Sequence, residues 1–193
     1  VVVCYGEGET WEWDGHSWER KYPDHSPSWR MWPAMGYHAE CQQLILFGGY
    51  YGNDIFYNDT WQWTGEDWIE LHPQNPPREM CAWDTAYDQK RQRVIISPGF
   101  VTGFGTAVGV WEWDGTDWYE YQPETMPEDV TPVTQLFYDL NLEKTVIFRP
   151  GVGGYWNCDT WTWDGQVFEE LVLDYQPNTD RFQASAYDMN TRE

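Results

Sequence analysis

Alternating apolar and polar residues mark a series of short extended segments along this chain. Residues 1–6 form a β-branched run, which predicts a strand. Trp11 and Trp13 stand two positions apart, so we expect them on one face of a second strand. An Asp-Gly pair at 14–15 follows, and this pair strongly favours a tight hairpin turn. A returning strand over 18–22 then completes the hairpin.

The sequence of this hairpin occurs four times, with its first tryptophan at positions 11, 61, 111 and 161. A repeat with a period of 50 residues is typical of solenoids, propellers and arrays. The pattern of one whole unit predicts strand A over 33–38, strand B over 44–47, a long loop over 50–58, strand C over 59–63 and strand D over 68–71. Strand B is apolar at successive positions, which predicts that both of its faces are buried.

Four short strands joined by tight turns form the blade of a β-propeller, so the predicted fold class is all-β with four-stranded antiparallel blades. Residues 181–188 have the pattern of strand A, which is missing ahead of residue 1. We therefore expect this C-terminal strand to close the N-terminal blade and to complete four blades within a single domain over 1–193. The predicted blades are 181–193 plus 1–22, 30–72, 80–122 and 131–173.

The repeated segments resemble kelch-repeat β-propellers, in particular the bacterial kelch-like type with TWxWDGxxW repeats. The residues that carry the resemblance are Thr10-Trp11, Thr60-Trp61, Thr160-Trp161, Phe47-Gly48-Gly49 and the Ala-x-Tyr-Asp segments before strand B. The chain departs from the family where the double glycine becomes Ser97-Pro98-Gly99 and Arg149-Pro150-Gly151. Kelch propellers usually have six or seven blades, so the chain is either a compact four-blade ring, which we favour, or a portion of a larger one. The resemblance implies a binding scaffold more often than an enzyme.

The chain is strongly acidic, with a formal net charge of −21 and an aromatic content of 19%. This charge repels nucleic acid and anionic lipid, so we expect neither as a partner. No apolar run approaches the ~20 residues of a membrane span, and we expect no membrane insertion. The acidic surface suits a protein that is extracellular or on the cell surface. The start of the chain has neither an initiator Met nor a signal-peptide pattern, which favours a mature or excised form.

The cysteines leave two alternatives open. Free buried thiols and one or two disulfides are equally compatible with Cys4, Cys41, Cys81 and Cys158. None of them belongs to a CxxC pair, which argues against a zinc site.

The connections between strands sort into two faces of the predicted propeller. The A–B and C–D turns share one face and are short, whereas the B–C and D–A connections share the other and vary in length and composition. Binding residues concentrate on variable loops held by a rigid scaffold, so the variable face is the candidate functional face. Of the four histidines, His25 and His72 are expected on this face and His16 and His38 on the other. These are too few for the ligand set of a metal-dependent oxidase.

Eleven of the fifteen tryptophans belong to the repeated signature, where packing between blades explains them. The remaining aromatics of the variable face are candidates for stacking against a ligand. Arginines recur between strands D and A, where they either pair with acidic loops or meet an anionic ligand. The candidate ligand-binding residues are Trp29, Arg30, Tyr51, Phe56, Tyr57, Arg78, Phe104, Tyr155, Trp156 and Arg181.

Asp54 and Asp59 flank an aromatic loop and are candidate ligands for Ca²⁺, although no D-x-D-x-D-G loop is present. No other cofactor is indicated. No nucleophile–base arrangement or phosphate-binding glycine loop supports catalysis. The leading hypothesis is a non-catalytic propeller that recognises a protein or a glycan through its aromatic B–C and D–A loops. The alternatives are a structural subunit of a larger extracellular assembly and a glycan-active or metal-dependent propeller enzyme.

Overall fold

The chain folds into successive antiparallel β-sheets. The computed structural model describes residues 2–6, 8–101, 109–122, 134–149 and 158–174, with the backbone alone for 2–6, 83 and 98–101. Within these ranges the chain contains strands and no helix, and thus no helix that meets the length and apolarity of a bilayer crossing. The prediction of an all-β chain is confirmed.

Each repeat unit forms one sheet, and neighbouring strands in the chain are neighbours in the sheet. Sheet 1 consists of β1 (Val2–Gly6), β2 (Glu9–Trp13) and β3 (Trp18–Lys21). Sheet 2 consists of β4 (Ala34–His38), β5 (Gln43–Gly52), β6 (Ile55–Trp63) and β7 (Trp68–Leu71). Sheet 3 consists of β8 (Met80–Asp88), β9 (Arg93–Val101), β10 (Val110–Trp113) and β11 (Trp118–Tyr121). Sheet 4 consists of β12 (Gln135–Asp139), β13 (Lys144–Arg149), β14 (Asp159–Trp163) and β15 (Phe168–Glu170).

Sheets 2, 3 and 4 therefore have the four antiparallel strands that the repeat predicts, while the described part of sheet 1 has three. The predicted closing strand over 181–188 lies outside the described residues, so closure into a ring stays a prediction.

The Asp-Gly hairpins take the expected turn geometry. Asp14 Oδ1 accepts hydrogen bonds from the backbone N–H groups of His16 (2.7 Å) and Ser17 (2.8 Å). These bonds to the ionised carboxylate lower the pKa of Asp14 below its ordinary value. Gly15 follows with φ +108°, a conformation that a residue with a side chain rarely adopts. In sheet 2 the hydroxyl of Thr64 replaces the aspartate as the acceptor within the turn.

The signature tryptophans form the contacts between consecutive sheets. Trp63 Nε1 of sheet 2 donates to Glu12 Oε1 of sheet 1 at 2.7 Å, and Trp163 Nε1 of sheet 4 donates to Glu112 Oε1 of sheet 3 at 2.6 Å. Glu112 is fully buried and also accepts two hydrogen bonds from Arg91, which balance its charge. The acidic residue of Trp-Glu-Trp thus holds the next sheet in place.

The connections from sheet 1 to sheet 2 and from sheet 2 to sheet 3 are each fastened to a short turn of the following sheet. His25 donates its backbone N–H to Asp67 Oδ1 (2.8 Å), and its ring Nδ1 lies 2.7 Å from Asp67 Oδ2. Fifty residues later, Asn75 makes the same two bonds to Asp117, at 2.9 and 2.7 Å. Hydrogen bonding to Asp67 raises the pKa of His25 above 6.5. The expected placement of His25 away from the short turns is therefore wrong, because this contact draws it to the turn at 64–67.

The predicted long loop over 50–58 is also wrong, because most of it is β-strand. Strand β5 continues to Gly52 and β6 begins at Ile55, so a two-residue turn at Asn53 and Asp54 joins them. Both turn residues have positive φ, 52° and 61°, as a type I′ hairpin requires. The register slips twice along this hairpin, which bends it away from the regular sheet. Sheet 2 thus carries a hairpin extension in place of a loop.

Candidate binding site

The hairpin extension of sheet 2 meets the connection that enters the same sheet. Met31 and Tyr50 exchange two backbone hydrogen bonds, both of 2.7 Å, so the segment at 29–32 runs beside the end of β5. The carbonyl of Trp32 accepts a further bond from the N–H of Ala82 at 3.3 Å. Trp32 has φ +53°, an unusual conformation for a bulky residue and one that recurs at ligand-binding sites.

Two aromatic pairs form where the segment and the hairpin meet. The indole of Trp32 stacks on the ring of Tyr50 with centroids 5.7 Å apart and an interplanar angle of 6°, and Tyr50 in turn contacts Phe56 at 4.8 Å. Trp29 meets Tyr51 edge to face at 5.7 Å and 84°.

These rings stay accessible despite their mutual contacts. Trp29, Trp32 and Tyr51 are 39%, 43% and 48% exposed, and Ile55 beside the turn is also exposed, whereas Phe56, which contacts Tyr50, is buried. Exposed aromatic rings that a scaffold holds in place offer flat apolar surface at a small entropic cost of ordering. We call Trp29, Trp32, Tyr50, Tyr51 and Ile55 the aromatic platform.

Arg30 anchors the segment that carries the platform residues Trp29 and Trp32. Its guanidinium forms a two-pronged ion pair with Asp59 and donates to the carbonyl oxygens of Ser28 (2.9 Å) and Gly48 (3.0 Å). It also lies 4.1 Å from the centre of the Tyr57 ring, a cation–π distance. The Arg30 side chain is completely buried, so it holds the segment at 29–32 against β6 and presents no charge to a ligand.

The structure brings together five of the predicted site residues: Trp29, Arg30, Tyr51, Phe56 and Tyr57. Arg78 is exposed on the corresponding connection between sheets 2 and 3. Four further candidates, Phe104, Tyr155, Trp156 and Arg181, lie outside the described residues. Trp32, Tyr50 and Ile55 were not among the predicted site residues. Trp32 and Tyr50 do belong to the aromatics outside the repeated signature that were considered for stacking, whereas no sequence signal pointed to Ile55.

The two candidate calcium ligands take different positions. Asp54 lies in the hairpin turn, while the carboxylate of Asp59 is engaged by Arg30 and by Trp61 Nε1 at 2.7 Å. Within the described part of the chain, no group of three or more His, Cys, Asp or Glu side chains converges as a metal site would. Cys41 carries an exposed free thiol.

Buried ionisable groups elsewhere bond to the backbone and to side chains of the sheets. Asp84 on β8 accepts from the backbone N–H groups of Thr85 (2.8 Å) and of Leu136 on β12 (2.9 Å). Burial raises the pKa of Asp84, while these hydrogen bonds oppose the shift. Asp88 similarly accepts from Arg91 inside sheet 3. These groups bond to the fold itself, which gives them a structural role.

The fold is similar to that of solved structures, among them the structure of YjhT. That match has a TM-score of 0.54 at 11% sequence identity and covers 86% of this chain and 52% of the other. The chain thus corresponds to about half the length of that protein, and an identity this low supports a likeness of fold alone. No protein-family model and no curated protein matches the sequence.

Proposed function

We propose that this chain is a kelch-type β-propeller module, closed by strand 181–188, that binds a glycan or a protein through the aromatic platform without catalysing a reaction. The observation that carries the proposal is the exposure of Trp29, Trp32 and Tyr51 on a hairpin and a connection that Arg30 locks together. Rings fixed in this way stack against a sugar or an apolar side chain without first being ordered.

Charge narrows the class of ligand. The chain has 32 acidic residues against 11 basic ones, and the arginine under the platform is neutralised by Asp59. An anionic glycan would approach a surface of like charge, so a neutral glycan or a neutral to basic protein segment fits better. The proposed setting is extracellular or at the cell surface, where such ligands are met. Assembly into a larger complex is the alternative role for the same exposed rings.

The test is a screen of the whole chain against an array of neutral and anionic oligosaccharides. The expected result is binding to neutral members that Trp32→Ala and Trp29→Ala each weaken about 10-fold, because one stacked ring contributes about 0.5–1.5 kcal/mol beyond its buried area. Tyr119→Ala is the matched control, since Tyr119 is equally exposed on sheet 3 and should leave binding unchanged.

Two outcomes contradict the proposal of a glycan site. One is equal weakening by the control and the platform variants, which would show nonspecific adsorption. The other is no glycan binding together with large particles in light scattering that Trp32→Ala disperses, which would show that the platform serves assembly.

A further inference from the structure

Two of the contacts between sheets use the same pair of positions. Trp68 Nε1 at the start of β7 donates to Thr10 Oγ1 on β2 at 2.8 Å. One repeat later, Trp118 Nε1 donates to Thr60 Oγ1 at 3.0 Å. In both contacts the donor and the acceptor are buried and 58 residues apart. A tryptophan of one sheet is thus matched to a threonine of the sheet before it.

The third contact changes both residues at once. Sheet 4 has Phe168 where the tryptophan would be, and sheet 3 has Val110 where the threonine would be, again 58 residues apart. Both are buried in one apolar cluster. A phenylalanine donates no hydrogen bond, and a buried threonine hydroxyl left without a partner costs about 1–3 kcal/mol. The paired change from Trp–Thr to Phe–Val avoids that loss. We call this the matching rule: a tryptophan at the donor position faces a threonine of the preceding sheet, and a phenylalanine faces a valine.

Within the described part of the chain, the tryptophan at the donor position of sheet 1 has no threonine partner. Trp18 of sheet 1 occupies the donor position but is 48% exposed, whereas Trp68 and Trp118 are buried. It stacks at a tilt against Trp13, with ring centroids 5.6 Å apart. Sheet 4 carries a threonine at the acceptor position, Thr160 on β14. It differs there from sheet 3, which has the valine that is paired with Phe168. By the matching rule, Trp18 fits the face of sheet 4 at Thr160.

We propose that Trp18 docks on Thr160 of the same chain, and that this contact is the junction that closes the ring. The inference rests on the proposed propeller and adds the residues that close it. The same chain is the expected occupant because residues 181–188, which follow sheet 4, repeat the strand that the described part of sheet 1 lacks. A tether of this kind raises the effective concentration of the partner sheet to about the millimolar range. Sheet 4 of a second copy would compete with it only at a similar concentration.

The test is a double-mutant cycle on the whole chain with Trp18→Phe, Thr160→Val and both together, each followed by urea unfolding. If the two residues form a hydrogen bond, their effects on the unfolding equilibrium constant are non-additive by about 2- to 10-fold. The matched control is the cycle of Trp68→Phe and Thr10→Val, whose contact is present in the structure. It gives the coupling that a closed junction produces in this protein.

Light scattering of each variant completes the test. Coupling between positions 18 and 160 in a monomer, independent of protein concentration, supports the proposal. Additive effects at 18 and 160 beside clear coupling in the control cycle would overturn it. Coupling that appears only in a dimer would contradict the assignment of both residues to one chain, because a second copy would then supply Thr160. Ligand binding by the aromatic platform of sheet 2 is measured separately, so failure of either proposal is distinguishable from failure of the other.

Discussion

Replacing Asp59 with asparagine keeps the shape of the side chain and removes the charge that faces the buried guanidinium of Arg30. The carboxylate provides both oxygens of the ion pair, and it also accepts from Trp61 Nε1. In the variant, the amide group points an N–H donor at a guanidinium that itself has only donors. Arg30 then keeps the carbonyl oxygens of Ser28 and Gly48 as its acceptors.

The size of the effect follows from the burial of Arg30. Removing one partner of a buried ion pair destabilises a protein by about 3–5 kcal/mol, because the remaining charge is left uncompensated. The two carbonyl acceptors and the partial exposure of Asp59 place Asp59→Asn near the lower end, at about 3 kcal/mol. The segment at 29–32 loses its anchor, so ligand binding at the platform should weaken as well.

Urea unfolding followed by tryptophan fluorescence measures this loss as a change in the unfolding free energy. Asp159→Asn is the matched control, since Asp159 stands at the position of Asp59 in sheet 4 and forms an ion pair with Arg149 of the neighbouring strand. The Arg149 side chain is 16% exposed while that of Arg30 is 0% exposed, so the control should lose less. A loss below about 1 kcal/mol for Asp59→Asn, or a larger loss for the control, would refute the reasoning.

Two further predictions concern single side chains. Below pH 6.5 the protonated ring of His25 stabilises the fold through Asp67, and this contribution is lost as the pH rises through the raised pKa of His25. His25→Asn, which copies the neutral pair made by Asn75, should therefore reduce the fall in melting temperature between about pH 5.5 and 8.5, and an unchanged fall would contradict the contact. Gly48→Ala would bring a Cβ within 2.4 Å of a backbone oxygen, whereas Gly52→Ala meets nothing within 4 Å. Gly48→Ala should thus lose about 1–3 kcal/mol more in urea unfolding than Gly52→Ala, and equal losses would show that strain at positive φ alone decides both.

The sheets could be predicted because their determinants are local and repeated. Each Trp-x-Trp-Asp-Gly stretch specifies a strand face and a turn within a few residues, and the 50-residue spacing assigns the units. Sheets 2, 3 and 4 follow from these signals alone.

The candidate site was predicted only in part because its geometry depends on non-local contacts. The register of the hairpin extension is set by pairs such as Tyr50 with Phe56. The spacing of residues in the sequence does not predict these pairs. The positive φ of Trp32 arises where Met31 bonds to Tyr50 and Trp32 bonds to Ala82. A run of tyrosines and polar residues without a repeated counterpart therefore resembled a loop in the sequence.

Comparison of equivalent positions separates residues that the fold requires from those it does not. Some contacts change at both ends between sheets: Arg30 and Asp59 of sheet 2 correspond to Met80 and Gly109 of sheet 3, so both charges are absent together. The contact of Trp29 with Tyr51 likewise changes at both ends, to Glu79 and Val101 in sheet 3. Trp29 and Trp32 correspond to Glu79 and Ala82, and sheet 3 forms without aromatic rings at either place. A sheet of this fold therefore forms without these two tryptophans. If they serve the proposed ligand, Trp32→Ala should lose binding without loss of stability, and an equal loss of stability would assign them to the fold.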